Sequence, residues 1–114
     1  MSEVTGFDLV NEITELTQNL TKSLKQLRIS GTELADAEKN YRILLRQEVL
    51  KMRDEGQAIG IISLVCHGIP EVAEARRERD VAEAVYTANK EAINVLKLQI
   101  RVIENQISRE WTSD

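Results

Sequence analysis

Cys66 and His67 are the two residues whose types and spacing come nearest to a catalytic pair. A cysteine attacks as its thiolate, and a histidine beside it can accept the thiol proton. Such a pair also needs a third group that orients the histidine, and an oxyanion site. No spacing in the sequence indicates these further parts, and adjacent side chains on a helix point about 100° apart. We therefore predict no catalytic residues: Cys66 fills an apolar segment, and His67 lies near a helix C-terminus.

The sequence predicts neither a metal site nor a bound cofactor. One cysteine and one histidine cannot furnish a four-ligand zinc site within a chain, although an oligomer could gather several copies of them. The glycines Gly56 and Gly60 could suggest a phosphate-binding loop, but no Lys-Ser or Lys-Thr pair follows them to hold phosphates and magnesium. We accordingly expect that the protein is not an enzyme.

A row of basic side chains at helical spacing could contact the phosphates of a nucleic acid. This basic row consists of Lys39, Arg42, Arg46 and Arg53. No aromatic side chains alternate with these residues to stack bases, and the net charge of -4 gives no general attraction to nucleic acid. Nucleic-acid binding through the basic row is therefore an alternative that the sequence does not favour.

Three polar residues, Glu38, Arg79 and Asn89, occupy helical positions that are otherwise apolar. A buried charge without a partner costs several kcal/mol, so we expect Glu38 to pair with Arg79 across an interface. Such a polar layer typically sets register and oligomeric state. The alternative is a polar cavity in an assembly, where Arg76, Arg77 and Arg79 would bind a small anion or a nucleotide.

The elements that position these residues are two long helices. Apolar residues recur at steps of three or four from Leu9 to Met52, which predicts one helix over about residues 7–55. Gly31 falls on this stripe without shifting its phase, which favours a continuous helix. The alternative is a break at which Ser30 caps a second helix and Glu33 completes a capping box.

Gly56 is placed to end the first helix, and Pro70 to begin the last one, over about residues 70–111. Residues 57–68 between them are the most apolar stretch and predict a short helix or buried turn at the end of an antiparallel hairpin. With the turn centred near residues 62 and 63, Arg42 would lie near Glu83 and Glu48 near Arg77.

The last helix carries two apolar stripes. The inner row extends from Val72 to Trp111 and contains Arg79 and Asn89. Beside it is an outer row, formed by Val81, Val85, Ala88, Ala92, Val95 and Val102. One antiparallel partner helix cannot cover both rows, and large exposed apolar patches are unfavourable in a monomer. The outer row therefore predicts a homo-oligomeric helical bundle, or docking on another protein.

The helical spacing predicts an all-α chain, and its length suits one domain of residues 1–114. With five glycines and one proline, a turn-rich β-sandwich or barrel is disfavoured. The N-terminal residues do not read as a signal peptide, and the longest apolar run is far shorter than the roughly 20 residues that span a bilayer. We expect a cytoplasmic protein that does not bind membranes.

Residues Gly31 to Trp111 resemble a group of small proteins encoded by phages and prophages of Gram-positive bacteria. The resemblance lies in the segments GTELADAEKNYR, EVLKMRDEG, HGIPEVAEARRERDVAEAVY and REW. It implies an accessory role among early phage functions near recombination and replication genes, and it supplies no catalytic residues. The leading hypothesis is a non-enzymatic, oligomeric interaction protein that acts on a host or phage replication, recombination or defence factor. Nucleic-acid binding and sequestration of a small anion are the alternatives.

Overall fold

The computed structural model describes residues 6–112, and all of its regular elements are helical. They are α1 (Gly6–Asp54), α2 (Ile59–Val65), a 3-10 turn (Cys66–Gly68) and α3 (Pro70–Thr112). The predicted all-α helical hairpin with a short helix at its end is therefore confirmed. Residues 1–5 and 113–114, which belong to the predicted domain, lie outside the described residues.

Gly56 ends α1 through a backbone motif that requires a left-handed residue. Its φ is 83°. Its N–H donates to the Arg53 carbonyl at 3.0 Å, and the N–H of Gln57 donates to the Met52 carbonyl at 3.1 Å. These two hydrogen bonds form a Schellman motif, in which glycine is preferred because it lacks a Cβ. The chain is thereby turned away from α1 and into α2.

Pro70 is the first residue of α3. Its missing N–H costs nothing in the first helical turn, where backbone donors have no partner within the helix. The Ile69 residue before it is extended, with ψ of 127°, and its carbonyl accepts a hydrogen bond from the N–H of Ala73 at 2.8 Å. Pro70 thus starts α3 with one extended residue, Ile69, between it and the 3-10 turn.

The described chain divides into two compact units. The terminal unit combines Met1–Arg28 and Thr87–Asp114, described over residues 6–28 and 87–112, and the hairpin unit is Ile29–Tyr86. Among the described residues of the terminal unit, the buried apolar side chains are Leu9, Ile93 and Ile103. The hairpin unit has a separate set of buried apolar side chains.

The core of the hairpin unit is a cluster of Tyr41, Val72 and Ala75. Val72 is fully buried. Leu44, Leu45 and Ile69 pack against this cluster and remain partly buried. The cluster therefore joins α1 to α3, with Ile69 contributed by the link between the 3-10 turn and α3, and it fixes where Tyr41 lies.

Gly31 lies inside α1, which runs through it without a break, as its position on the stripe predicts. A Cβ added at Gly31 would meet Cε2 of Tyr86 at 3.4 Å, an ordinary van der Waals distance. Ser30 is buried within the helix and does not stand at a helix N-terminus. The alternative of a second helix capped by Ser30 is therefore wrong.

The predicted pairing of α1 with α3 was wrong by about two helical turns. In the structure, Gly31 of α1 lies next to Tyr86 of α3, and Glu38 lies next to Arg79. The predicted turn centre would instead pair Gly31 and Glu38 with residues further along α3. The reason is α2: its Ile59 and Ile62 share a pocket with Leu45, Val49 and Arg53 of α1, so that α2 lies against the last turns of α1. The prediction assumed a symmetric turn between the two long helices and did not include the packing of a short helix against the end of α1.

Arg42 and Glu83, which we expected to lie near each other, line a common pocket, but the ion pairs that Arg42 and Arg77 form are within one helix. Arg42 Nε lies 2.8 Å from Glu38 Oε1, and Arg77 Nη1 lies 3.2 Å from Glu74 Oε1. Both arginines are well exposed, so each pair contributes at most about 0.5 kcal/mol. Neither pair determines the register.

None of the helices within residues 6–112 combines the length and the apolar character that crossing a bilayer requires.

Candidate functional site

Tyr41, His67 and Cys66 form a chain of polar contacts in the hairpin unit. The Tyr41 hydroxyl lies 3.1 Å from His67 Nε2, and His67 Nδ1 lies 3.5 Å from the Cys66 Sγ. The Cys66 thiol also lies 3.9 Å from the Ser63 carbonyl, a long but acceptable distance for an S–H donor. Tyr41 thus holds the ring of His67 from one side while Cys66 meets it from the other.

These contacts correct one expectation about Cys66 and His67. We expected the two neighbouring side chains to diverge, yet they meet. The sequence indicated no group that orients the histidine, whereas in the structure Tyr41 contacts its ring. Tyr41 was missed because its partner lies 26 residues away and the contact depends on the register. The Cys66 residue is only 3% exposed, as expected for a side chain that fills the apolar end of the hairpin.

Arg79 is the second partner of Tyr41. Its Cζ lies 4.6 Å from the centroid of the Tyr41 ring, a cation–π geometry. Its Nε and Nη2 donate to Oδ1 of Asp80 at 3.1 and 2.9 Å, and the Nε also lies 3.7 Å from Glu38 Oε2. Glu38 and Arg79, which the sequence singled out for their polar character on apolar stripes, therefore meet within one chain.

The surroundings of Arg79 keep its guanidinium charged. The hydrogen bond to Asp80 raises the pKa of Arg79 above its ordinary value, and the negative charges of Asp80 and Glu38 add to this effect, while partial desolvation opposes it. The Arg79 side chain is 22% exposed. It acts as a fixed positive charge that links α1 to α3 over the tyrosine ring.

The three arginines expected to bind a small anion have different neighbours within the chain. Arg77 pairs with Glu74, and Arg79 pairs with Asp80 and Glu38. Arg76 is exposed on α3. Two of the three guanidinium groups are therefore already engaged by carboxylates of the chain. Asn89, the third residue of the predicted polar layer, is half-buried in the terminal unit.

A pocket of about 400 Å³ lies between α2 and the end of α1 in the hairpin unit. Its apolar walls come from Leu45, Val49, Ile59 and Ile62, and its polar lining comes from Arg53, Ser63, Cys66 and His67. Its volume falls within the range of roughly 300 to 1,000 Å³ that is typical of small-molecule sites. The sequence indicated the apolar character of this segment but not the concave surface.

All four residues of the basic row are exposed along α1 of the hairpin unit. They are Lys39, Arg42, Arg46 and Arg53. Arg42 is held by Glu38, which neutralises part of its charge. Arg53 differs from the other three because it lines the pocket.

The outer row of α3 is exposed, whereas the inner row is mostly covered. Val81 and Val85 of the hairpin unit are 50% and 44% exposed, and Val95 and Val102 of the terminal unit are 52% and 46% exposed. Ala88 and Ala92 are exposed as well. Trp111 departs from the expected inner row, since it is 77% exposed.

Helix α2 exposes more apolar surface than the sequence predicted. We expected the segment to be buried in the turn, but Leu64 is 82% exposed and Ile61 is 53% exposed. Ile62 and Cys66 are the buried side chains of this segment. With seven residues, α2 turns only one face toward α1, and the remaining apolar side chains point into solvent.

Among residues 6–112, no group of three or more His, Cys, Asp or Glu side chains is arranged to hold a metal ion. The chain matches no protein-family model, no curated protein sequence and no solved structure. The resemblance to small phage proteins therefore stays a prediction.

Proposed function

We propose that this protein is a non-enzymatic interaction module that self-associates through the outer row of α3. The observation that supports the proposal is the exposure of that row. Val95 and Val102 keep about half of their surface in solvent, while Ile93 and Ile103 on the same helix are almost completely buried. A second copy that covered the outer row would remove this apolar surface from water at roughly 25 cal/mol for each Å².

The proposed interface lies in the terminal unit. Its members Ala88, Ala92, Val95 and Val102 carry no charge, and Gln99 is the polar residue between them. Depletion of charge is characteristic of the centre of a protein interface. Val81 and Val85 offer a similar surface on α3 of the hairpin unit.

The apolar surface of α2 is the proposed contact for a different protein. Ile59, Ile61 and Leu64 of this seven-residue helix are 75%, 53% and 82% exposed, and several exposed apolar side chains on one short helix are typical of a protein contact site. If the resemblance to phage and prophage proteins holds, the partner is a host or phage factor for replication, recombination or defence, met in the host cytoplasm. Affinity capture from infected cells, repeated with a Leu64→Glu variant, tests this part: a specific partner is lost from the variant.

Light scattering tests the self-association directly. We expect the wild-type chain at micromolar concentration to scatter as a multiple of 12.9 kDa. Val95→Glu places a charge in the proposed interface and should yield monomers. Asn94→Glu is the matched control, since it adds the same charge one residue away, about 100° around the helix. A monomeric wild-type chain, or equal effects of the two variants, would refute the proposal.

Nucleic-acid binding by the basic row is the second candidate. The supporting observation is that Lys39, Arg42, Arg46 and Arg53 all remain exposed on α1. Binding of this kind should fall steeply as salt is raised and should weaken when Arg42 and Arg46 are replaced by alanine. A chain that leaves both single-stranded and double-stranded DNA unshifted at low salt excludes this candidate.

A further inference from the structure

We infer that the pocket between α2 and the end of α1 binds a small aliphatic carboxylate, with the carboxylate on Arg53 and the hydrocarbon chain on the apolar walls. This site is separate from the outer row and does not depend on self-association. It rests on three features of the hairpin unit: the apolar walls, an arginine without a partner at the same pocket, and polar neighbours that are already engaged.

The walls of the pocket suit a hydrocarbon chain. Leu45 and Val49 line it from α1, and Ile59 and Ile62 line it from α2. Ile62 is buried, but Ile59 is 75% exposed even though it lines the pocket. A hydrocarbon chain lying on Ile59 would cover apolar surface that the protein leaves in solvent.

Arg53 supplies the charge that selects the ligand. Its side chain forms no ion pair with any carboxylate of residues 6–112, in contrast to Arg42, Arg77 and Arg79. A guanidinium group presents parallel N–H donors that match the two oxygens of a carboxylate. An unpaired arginine beside apolar walls therefore favours an amphiphilic anion over a neutral or cationic ligand.

The other polar groups of the pocket do not compete for that role. Both ring nitrogens of His67 already have neighbours, with Tyr41 at Nε2 and Cys66 at Nδ1. The Cys66 thiol also has the Ser63 carbonyl as an acceptor. These contacts fix the inner wall of the pocket and leave Arg53 as its available cation.

The probe for the test is octanoate, and the readout is the chemical shifts of the isoleucine methyl groups in solution. Ile59 and Ile62 should shift in a saturable way as octanoate is added below its micellar range. Octanol and octylammonium carry the same tail without the negative charge and should bind at least about tenfold more weakly, because a hydrogen-bonded charge pair is lost.

Two pairs of variants locate the site. Arg53→Gln should weaken octanoate binding by about tenfold or more. Arg46→Gln removes the same charge from α1 outside the pocket and should leave binding unchanged. Ile59→Glu, which places a carboxylate in the pocket wall, should abolish binding, while Ile61→Glu on the same short helix should not.

The inference is overturned if octanoate causes no saturable shift at Ile59 or Ile62. It is equally overturned if Arg53→Gln binds octanoate as well as Arg46→Gln does, or if octylammonium binds as tightly as octanoate. Because Arg53 and Ile59 are exposed, the variants should fold normally, and circular dichroism of each one verifies this.

Discussion

Arg79 of α3 lies over the ring of Tyr41 of α1, with its Cζ 4.6 Å from the ring centroid. The same guanidinium donates to Asp80 and lies beside Glu38, while the Tyr41 hydroxyl contacts His67. Tyr41 is therefore the residue at which α1, α3 and the 3-10 turn meet. The register of the hairpin unit is therefore fixed by the stacking of Arg79 on Tyr41 and by the contact of Tyr41 with His67. A series of ion pairs between the two long helices, which the sequence predicted, does not fix it.

Replacing Arg79 tests whether the stacked guanidinium matters as well as its charge. Arg79→Lys keeps the charge but loses the planar group that covers the tyrosine ring, so it should lower the melting temperature. Arg79→Met removes the charge too and should lower it further. Thermal unfolding of both variants measures this. A Lys variant as stable as the wild type would show that charge alone is sufficient.

The contact between Tyr41 and His67 can be isolated by a double-mutant cycle. Tyr41→Phe removes the hydroxyl but keeps the ring under Arg79, so it should cost about 0.5–1.5 kcal/mol of the free energy of unfolding. His67→Gln and the double variant complete the cycle, with urea unfolding as the measurement. A coupling energy near zero would mean that the hydroxyl and the imidazole do not stabilise each other.

Two glycines should respond in opposite directions to replacement by alanine. Gly31→Ala should stabilise the protein by about 1 kcal/mol, because glycine is a poor helix former and the new methyl group meets Tyr86 at an ordinary contact distance. Gly56→Ala should destabilise it by about 1 kcal/mol, because its positive φ is unfavourable for a residue with a Cβ. Urea unfolding of both variants measures the two effects. Destabilisation by Gly31→Ala would indicate that Tyr86 cannot accommodate the methyl group.

Replacing one buried and one exposed valine of α3 by alanine should give different losses of stability. Val72 is fully buried, so Val72→Ala should cost about 2 kcal/mol by leaving a cavity. Val81 is half exposed, and Val81→Ala should change the stability of the monomer by less than about 0.5 kcal/mol. Unfolding at low protein concentration compares them. Equal losses at the two positions would contradict the assignment of an inner and an outer row.

The helices could be predicted from the sequence because each signal is local. The apolar spacing from Leu9 to Met52, the glycine at position 56 and the proline at position 70 act within a few residues of where they stand, and the helix ends follow from them. The continuity of α1 through Gly31 was also predicted correctly, because a break in the helix would have shifted the spacing of the apolar residues, and no such shift occurs.

The register and the contacts of Tyr41 could not be predicted in this way. Both depend on how α2 packs against the last turns of α1. This packing is a tertiary contact, and the spacing of apolar residues within one helix does not determine it. Once the register shifts, His67 comes within reach of Tyr41, and a pocket forms beside Arg53. The exposed side chains of α2, such as Leu64, were missed for a related reason: apolar composition alone does not say which residues a seven-residue helix can bury.

The most direct test of self-association through the outer row is an isotope-filtered nuclear Overhauser experiment on a mixture of labelled and unlabelled chains. We expect intermolecular signals from the methyl groups of Val95 and Val102 to residues of a second copy. These signals should vanish in Val95→Glu and persist in Asn94→Glu. Intermolecular signals that avoid Val95 and Val102, or none at concentrations where the chain is fully folded, would contradict self-association through this row.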